Sequence, residues 1–188
     1  ALLNGADLVF ELPVYYATGS AEYFAAGAVA LLDRLGVVNS ICFGSECGDI
    51  SVLSSFAKVL AEESGDFSEA LRCNLRDGLS YPIARNNALT SVHHELAEHI
   101  DILSSPNNIL GIEYIKALYR RKSNIVPLTN LRTGSAYHDT QLFQNKSSAT
   151  AIRHSLEQMD NLLLIAGQIP TTVFQILEEH FDSKDCLY

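Results

Sequence analysis

The chain has 188 residues, 47% of them hydrophobic and 19% charged, with 13 basic against 22 acidic side chains and a formal charge of -9. At roughly 150 residues per domain that is one domain plus an appendage, long enough to bury about 70% of its unfolded surface, which excludes a disordered chain. No apolar run reaches the roughly 18 residues of a membrane-spanning helix, and a pI near 5.0 argues against a broad polyanion-binding face, so contact with nucleic acid is expected to be local or to be made by parts outside these residues. The start, Ala-Leu-Leu-Asn-Gly, carries neither an initiator Met nor a leader, and the expectation is a piece of something longer. Cys42, Cys47, Cys73 and Cys186 form no C-x-x-C pair, as expected of reduced thiols in a cytoplasmic protein.

In chain order, Asp7 to Leu12 predicts a strand stopped by Pro13. Ser20 then caps a helix whose apolar positions Phe24, Ala28, Leu31, Leu32 and Leu35 recur at helical spacing, ending at Gly36. Val37 to Phe43 predicts a buried strand broken by Gly44, and the strand, helix, strand unit has the size of a parallel crossover. Asp49 caps the next helix, while Asp66 with Glu69 predicts a capping box for a helix ending near Gly78. Tyr81 to about Ala97 predicts a helix with Pro82 in its first turn, and Ser105-Pro106 opens another. Ile125 to Leu128 predicts a short strand near an edge because it contains Pro127. Gly134 to Lys146 reads as a mobile loop, Ser148 starts a helix, and Pro170 starts the last one, Thr171 to His180. The pattern predicts an α/β fold with a parallel sheet and several added helices.

Four segments carry candidate chemistry. In Ser147-Ser148-Ala149-Thr150-Ala151-Ile152-Arg153, hydroxyls lie at a helix start beside unpaired N–H groups, and Arg153 follows Thr150 by one turn; that suits a phosphate, and equally a plain cap with a solvated Arg. Gly44, in Phe43-Gly44-Ser45-Glu46, follows a strand at the carboxyl end where ligands of parallel sheets gather, or simply makes a turn; Ser45 is not midway in a G-x-S-x-G elbow, so a Ser45 nucleophile is discounted. Asn107 and Asn108 place two amides in the first turn of a helix, able to read a base or ribose or to serve as caps. Arg132 follows a strand and can pair with a phosphate or sit on the surface. His94 and His99 are five apart and do not share a helix face, so the His-rich stretch predicts no metal site.

The segments GADLVFELP (Gly5 to Pro13), FGSECGD (Phe43 to Asp49), GLSYP (Gly78 to Pro82), SPNNILGIEYIKAL (Ser105 to Leu118) and SSATAIR (Ser147 to Arg153) occur in that order. Together they resemble the bacterial tRNA(Met) cytidine acetate ligase family, whose catalytic domain is of the HIGH nucleotidylyltransferase type. The resemblance implies a Rossmann-like parallel sheet of the HUP class with added helices. Residues 1–153 then make up most of an ATP-binding domain, and 154–188 lead into a region that grips tRNA. It also implies use of ATP with Mg²⁺ and acetate to make acetyladenylate, and transfer of acetyl to N4 of the wobble cytidine of elongator tRNA(Met) in the cytoplasm. By the same resemblance Gly44, Asn107, Arg132 and Thr133 match ATP-binding positions, and Ser147, Ser148, Thr150 and Arg153 match the loop and helix start that hold phosphates. Glu46, Asp49 and Asp139 are candidate neighbours of the metal ion.

The family begins with a strand and an N-P-F-H-x-G-H motif, and none of the six His residues here lies in an H-x-G-H context. These 188 residues alone are therefore expected to lack the first strand and half of the phosphate site, and to show little or no ligase activity without an upstream segment. Two other functions fit the same motifs: a nucleotidylyltransferase acting on a phosphorylated small molecule, and a non-catalytic nucleotide-binding or assembly protein.

Overall fold

The computed structural model describes residues 1–132, 147–158 and 162–180. The chain divides into two compact units, Leu12–Arg132 and a second made of Ala1–Glu11 with the residues from Thr133 onward. In the first unit the elements run α1 (Val14–Ala17), α2 (Ala21–Leu35), β1 (Ser40–Ser45), α3 (Ile50–Glu62), α4 (Gly65–Arg76), α5 (Tyr81–Val92), a 3-10 stretch His94–Ser104, α6 (Pro106–Arg121) and β2 (Val126–Leu131). The second unit contributes α7 (Ala149–Gln158) and α8 (Thr171–His180). No helix among the described residues is long and apolar enough to cross a membrane.

β1 and β2 pair in parallel from Ser40↔Val126 to Ser45↔Leu131. α6 is the axis of the first unit. Ile112 and Ile115 join Leu53, Phe56 and Leu60 of α3 and Leu89 of α5 in one core, while Ala117 and Leu118 meet Val29 of α2 and Ile125 in a second. The strand reaches α6 through Gly111, where a Cβ would stand 2.6 Å from Phe43 Cε2; only a residue without a side chain lets the ring lie on the helix backbone. An ionic net ties the helices on the far side: Lys116 Nζ lies 3.0 Å from Glu22 and 2.7 Å from Glu113, and Arg120 lies 2.7 Å from both Glu22 and Glu63.

Several helix ends follow the sequence. Gly36 ends α2 at φ 70°, and Asp49 Oδ1 accepts the N–H groups of Ser51 and Val52 to start α3. Other expectations fail for identifiable reasons. Residues 7–12 are not a strand: a strand needs ladder partners, only β1 and β2 pair among the described residues, and Leu8 is 72% exposed. Gly44 does not break β1 but pairs with Asn130 inside it, and the ladder starts at Ser40 because Val37 stays exposed. β2 runs on to Leu131, with Pro127 opposite Ile41 on a strand that has an open edge. The cap of α4 is Ser64, whose Oγ accepts from Phe67 N–H at 3.3 Å, so Asp66 lies within the first turn. α5 stops at Val92 rather than Ala97, because the Thr90 and Ser91 hydroxyls bond back to the carbonyls of Asn86, Asn87 and Ala88 and compete with the helical ladder. The predicted loop from Gly134 to Lys146 lies outside the described residues.

Candidate functional site

The carboxyl ends of β1 and β2 and the amino end of α6 meet in one place. Arg132 N–H donates to the Ser45 carbonyl at 2.9 Å, extending the ladder one step and bringing the Arg132 stem across β1. A Cβ on Gly44 would sit 3.0 Å from Arg132 Cγ, so the bare backbone at 44 is what admits this guanidinium to the end of the sheet. Ser45 beside it is fully buried, its Oγ 2.7 Å from Thr129 Oγ1 and accepting from Gly48 N–H at 3.0 Å. Its hydroxyl is held by the turn and has no nucleophile's exposure.

Asn107 joins the same corner through Glu46. Glu46 Oε1 accepts from Asn107 Nδ2 at 2.7 Å and from Asn107 N–H at 3.3 Å, while Oε2 accepts from Asn108 N–H at 2.8 Å. Asn108 reciprocates: its Oδ1 accepts from the N–H groups of Glu46 and Cys47 at 2.9 and 3.0 Å, and its Nδ2 donates to the Ile102 carbonyl at 3.3 Å. The first turn of α6 contains no acidic residue of its own, so Glu46 supplies the negative charge that the positive helix end attracts. Asn108 is 2% exposed and spends its amide on this latch, whereas Asn107 keeps its Oδ1 without a protein partner among the described residues. Sequence reasoning noticed both amides but missed Glu46 as their partner. The usable signal was an acid just past a strand end, together with a helix start lacking one.

The structure thus brings Gly44, Asn107 and Arg132 together. Ser147, Ser148, Thr150 and Arg153 belong to the other unit. There Ser148 Oγ accepts from Ala151 N–H at 3.0 Å and caps α7, and Ser147 N–H donates to Gln168 Oε1 at 3.1 Å. Thr150 is half-buried and Arg153 exposed. Thr133 and Asp139 lie outside the described residues. Glu46 is engaged in the latch and Asp49 in its cap, and no group of three or more His, Cys, Asp or Glu among the described residues could hold a metal ion. Glu46 and Asp49 belong to no metal cage among the described residues.

A parallel strand pair whose carboxyl ends face a helix amino terminus defines an α/β protein, with a glycine and an Arg at the edge where ligands of open sheets gather. The model of the HIGH Nucleotidyl Transferase family matches residues 1–188, and the chain belongs to that family. It is 43% identical over 188 residues to the tRNA(Met) cytidine acetate ligase of Clostridium novyi, covering 100% of this chain and 47% of that protein. The ligase of Caldicellulosiruptor saccharolyticus is 48% identical over 184 residues, covering 97% of this chain and 44% of its own length. The chain therefore spans about half the length of the curated relatives it matches. Among solved structures, apo Thermotoga maritima TmcAL superposes with a TM-score of 0.90 at 37% identity, covering 95% of this chain and 43% of that one. The same protein bound with alpha-thio ATP gives 0.85 at 36% identity, with coverage of 95% and 42%. The expected HUP-type fold with its parallel sheet is the one observed.

Proposed function

We propose that this chain is the ATP-binding portion of a tRNA(Met) cytidine acetate ligase. The reading is carried by one observation: the chain is 43% identical over 188 residues, its whole length, to a protein of that name. On this reading acetate attacks the α-phosphate of ATP, forming acetyladenylate and releasing pyrophosphate; N4 of the wobble cytidine of elongator tRNA(Met) then attacks the acetyl carbon and AMP leaves. Gly44 lets the Arg132 stem lie close against the strand end beside the adenosine, Asn107 Oδ1 accepts from the adenosine, and the Arg132 guanidinium stabilises charge developing between acetate and the α-phosphate. Thr133, Ser147, Ser148, Thr150 and Arg153 are assigned to the phosphates by their match to the family's motif positions. Residues 1–153 are assigned to this nucleotide-binding part and 154–188 to the approach to the RNA-binding region, in a cytoplasmic tRNA-modification enzyme. Mg²⁺ is assigned the role of counter-ion to ATP, with which it arrives.

Titration of the full chain with ATP tests the site. Arg132→Ala and Asn107→Ala are each expected to weaken binding by about 1 to 3 kcal/mol, the loss of a charge-assisted or polar contact. Unchanged ATP affinity in both variants counts against these residues. Acetyl transfer from radiolabelled acetate to elongator tRNA(Met) in the presence of ATP tests the reaction, and pyrophosphate release that requires a phosphorylated metabolite instead of acetate would overturn it.

A further inference from the structure

A cavity of about 480 Å³ opens within the first unit between the start of α2, the side of α4, the start of α5 and one flank of α6. That size falls within the roughly 300 to 1,000 Å³ of small-molecule sites. Gly44, Asn107 and Arg132 are not in its wall. Three carboxylates are, namely Glu22, Glu63 and Glu113, and each is already held by Lys116 or Arg120 at 2.7 to 3.0 Å. The remaining cations of the wall, Arg72 on α4 and Arg85 on α5, have no carboxylate partner among the described residues. Arg85 Nε is buried and has no hydrogen-bond partner among the described residues.

A buried guanidinium N–H without an acceptor is costly in a folded protein, and its natural complement is an oxyanion. The surroundings favour the same charge. Ser20 and Ala21 of the α2 start and Tyr81 of the α5 start line the cavity, and neither Ser20 nor Ser80 makes a side-chain capping bond, so the positive ends of two helices lack a side-chain acceptor here. Phe67, Leu71 and Leu75 of α4 make the opposite part of the wall apolar. An oxyanion with a flat, apolar body satisfies both halves.

We propose that this cavity is a second ligand site, taking a nucleotide through its phosphate, with Arg72 and Arg85 as the phosphate ligands and the apolar side of α4 receiving the base. It reconciles a formal charge of -9 with phosphate binding, since no carboxylate among the described residues pairs with either guanidinium. The inference stands on the cavity and does not depend on the acetate-ligase reading.

Calorimetric titration of the full chain with cytidine 5′-monophosphate tests it, with cytidine, inorganic phosphate and the trinucleotide pCpCpC as separate arms. The monophosphate is expected to bind equally well with and without saturating ATP, and at least tenfold more tightly than cytidine or inorganic phosphate. Arg72→Met and Arg85→Met are each expected to weaken it at least tenfold while leaving ATP affinity unchanged. Tighter binding of the trinucleotide than of the monophosphate makes an RNA strand the source of the phosphate, and equal binding a free nucleotide. No binding of the monophosphate, its displacement by ATP, or wild-type affinity in Arg72→Met overturns the proposal. Arg72 is exposed, so its variant decides the matter if Arg85→Met does not fold. ATP binding sensitive to Arg132 is a separate readout, so either site can fail without the other.

Discussion

Two helix starts in the same unit treat their positive ends in opposite ways. At α6 the protein provides its own anion: Glu46 closes on the N–H groups of Asn107 and Asn108, and Asn108 returns two bonds to the strand end. At α2 the cap Ser20 makes no side-chain capping bond, the first-turn acid Glu22 is drawn to Lys116 and Arg120, and two arginines nearby have no acid among the described residues. The first arrangement fixes geometry, because every donor is used within the protein. The second leaves charge uncompensated in a space large enough for a molecule. One therefore holds the Asn107 amide in place, while the other is the start at which the second ligand site is proposed.

This contrast is open to attack in order of expected effect. Asn108→Ala removes three hydrogen bonds from a buried site and strands amide groups of the strand end, so urea denaturation of the full chain is expected to show a loss of about 3 kcal/mol. A loss near zero would mean that the latch is decorative. A smaller effect comes from Glu22, whose carboxyl is held below the usual carboxylate range, first by the hydrogen bond from Lys116 and further by Lys116 and Arg120 charge, against the opposing effect of burial. The stabilisation is present above the unfolded carboxyl value of about 4.3 and is lost as pH falls through the lowered folded value. Glu22→Gln should therefore flatten the acid limb of a stability profile between pH 5 and 2 while the wild type declines. The smallest change is expected of Arg72→Met, whose midpoint should stay within about 0.5 kcal/mol of wild type, as an exposed side chain without a partner contributes little to folding. A large loss there would make Arg72 structural and remove the contrast.

How much of this could be read from the sequence depends on how local each feature is. The starts of α2, α3, α6 and α8 were legible because a cap, a Pro or a Gly lies beside the periodic residues it governs. The end of α5 was not, since apolar spacing continues past Val92 while the hydroxyl-to-carbonyl bonds of Thr90 and Ser91 weaken the helix. The stretch Asp7 to Leu12 has the composition of a strand, but pairing is a property of two segments, and the sequence of one says nothing about whether the other is there. The same limit applies at the site. Gly44 and Asn107 became candidates through their motifs and Arg132 through its place after a predicted strand, whereas the bond between Glu46 and Asn107 joins positions 61 residues apart, and no local pattern announces it. The cavity with Arg72 and Arg85 left no motif at all, because it arises where four helices fail to fill the space between them.

The contact between Phe43 and Gly111 carries a lesson for anyone altering this protein. A ring and a bare peptide share one small volume there, with a notional methyl carbon only 2.6 Å from the nearest ring atom. The two positions are thus a matched pair, and enlarging one demands shrinking the other. A library that varies them independently will mostly sample clashes and voids, while one that exchanges bulk between them will sample folded variants.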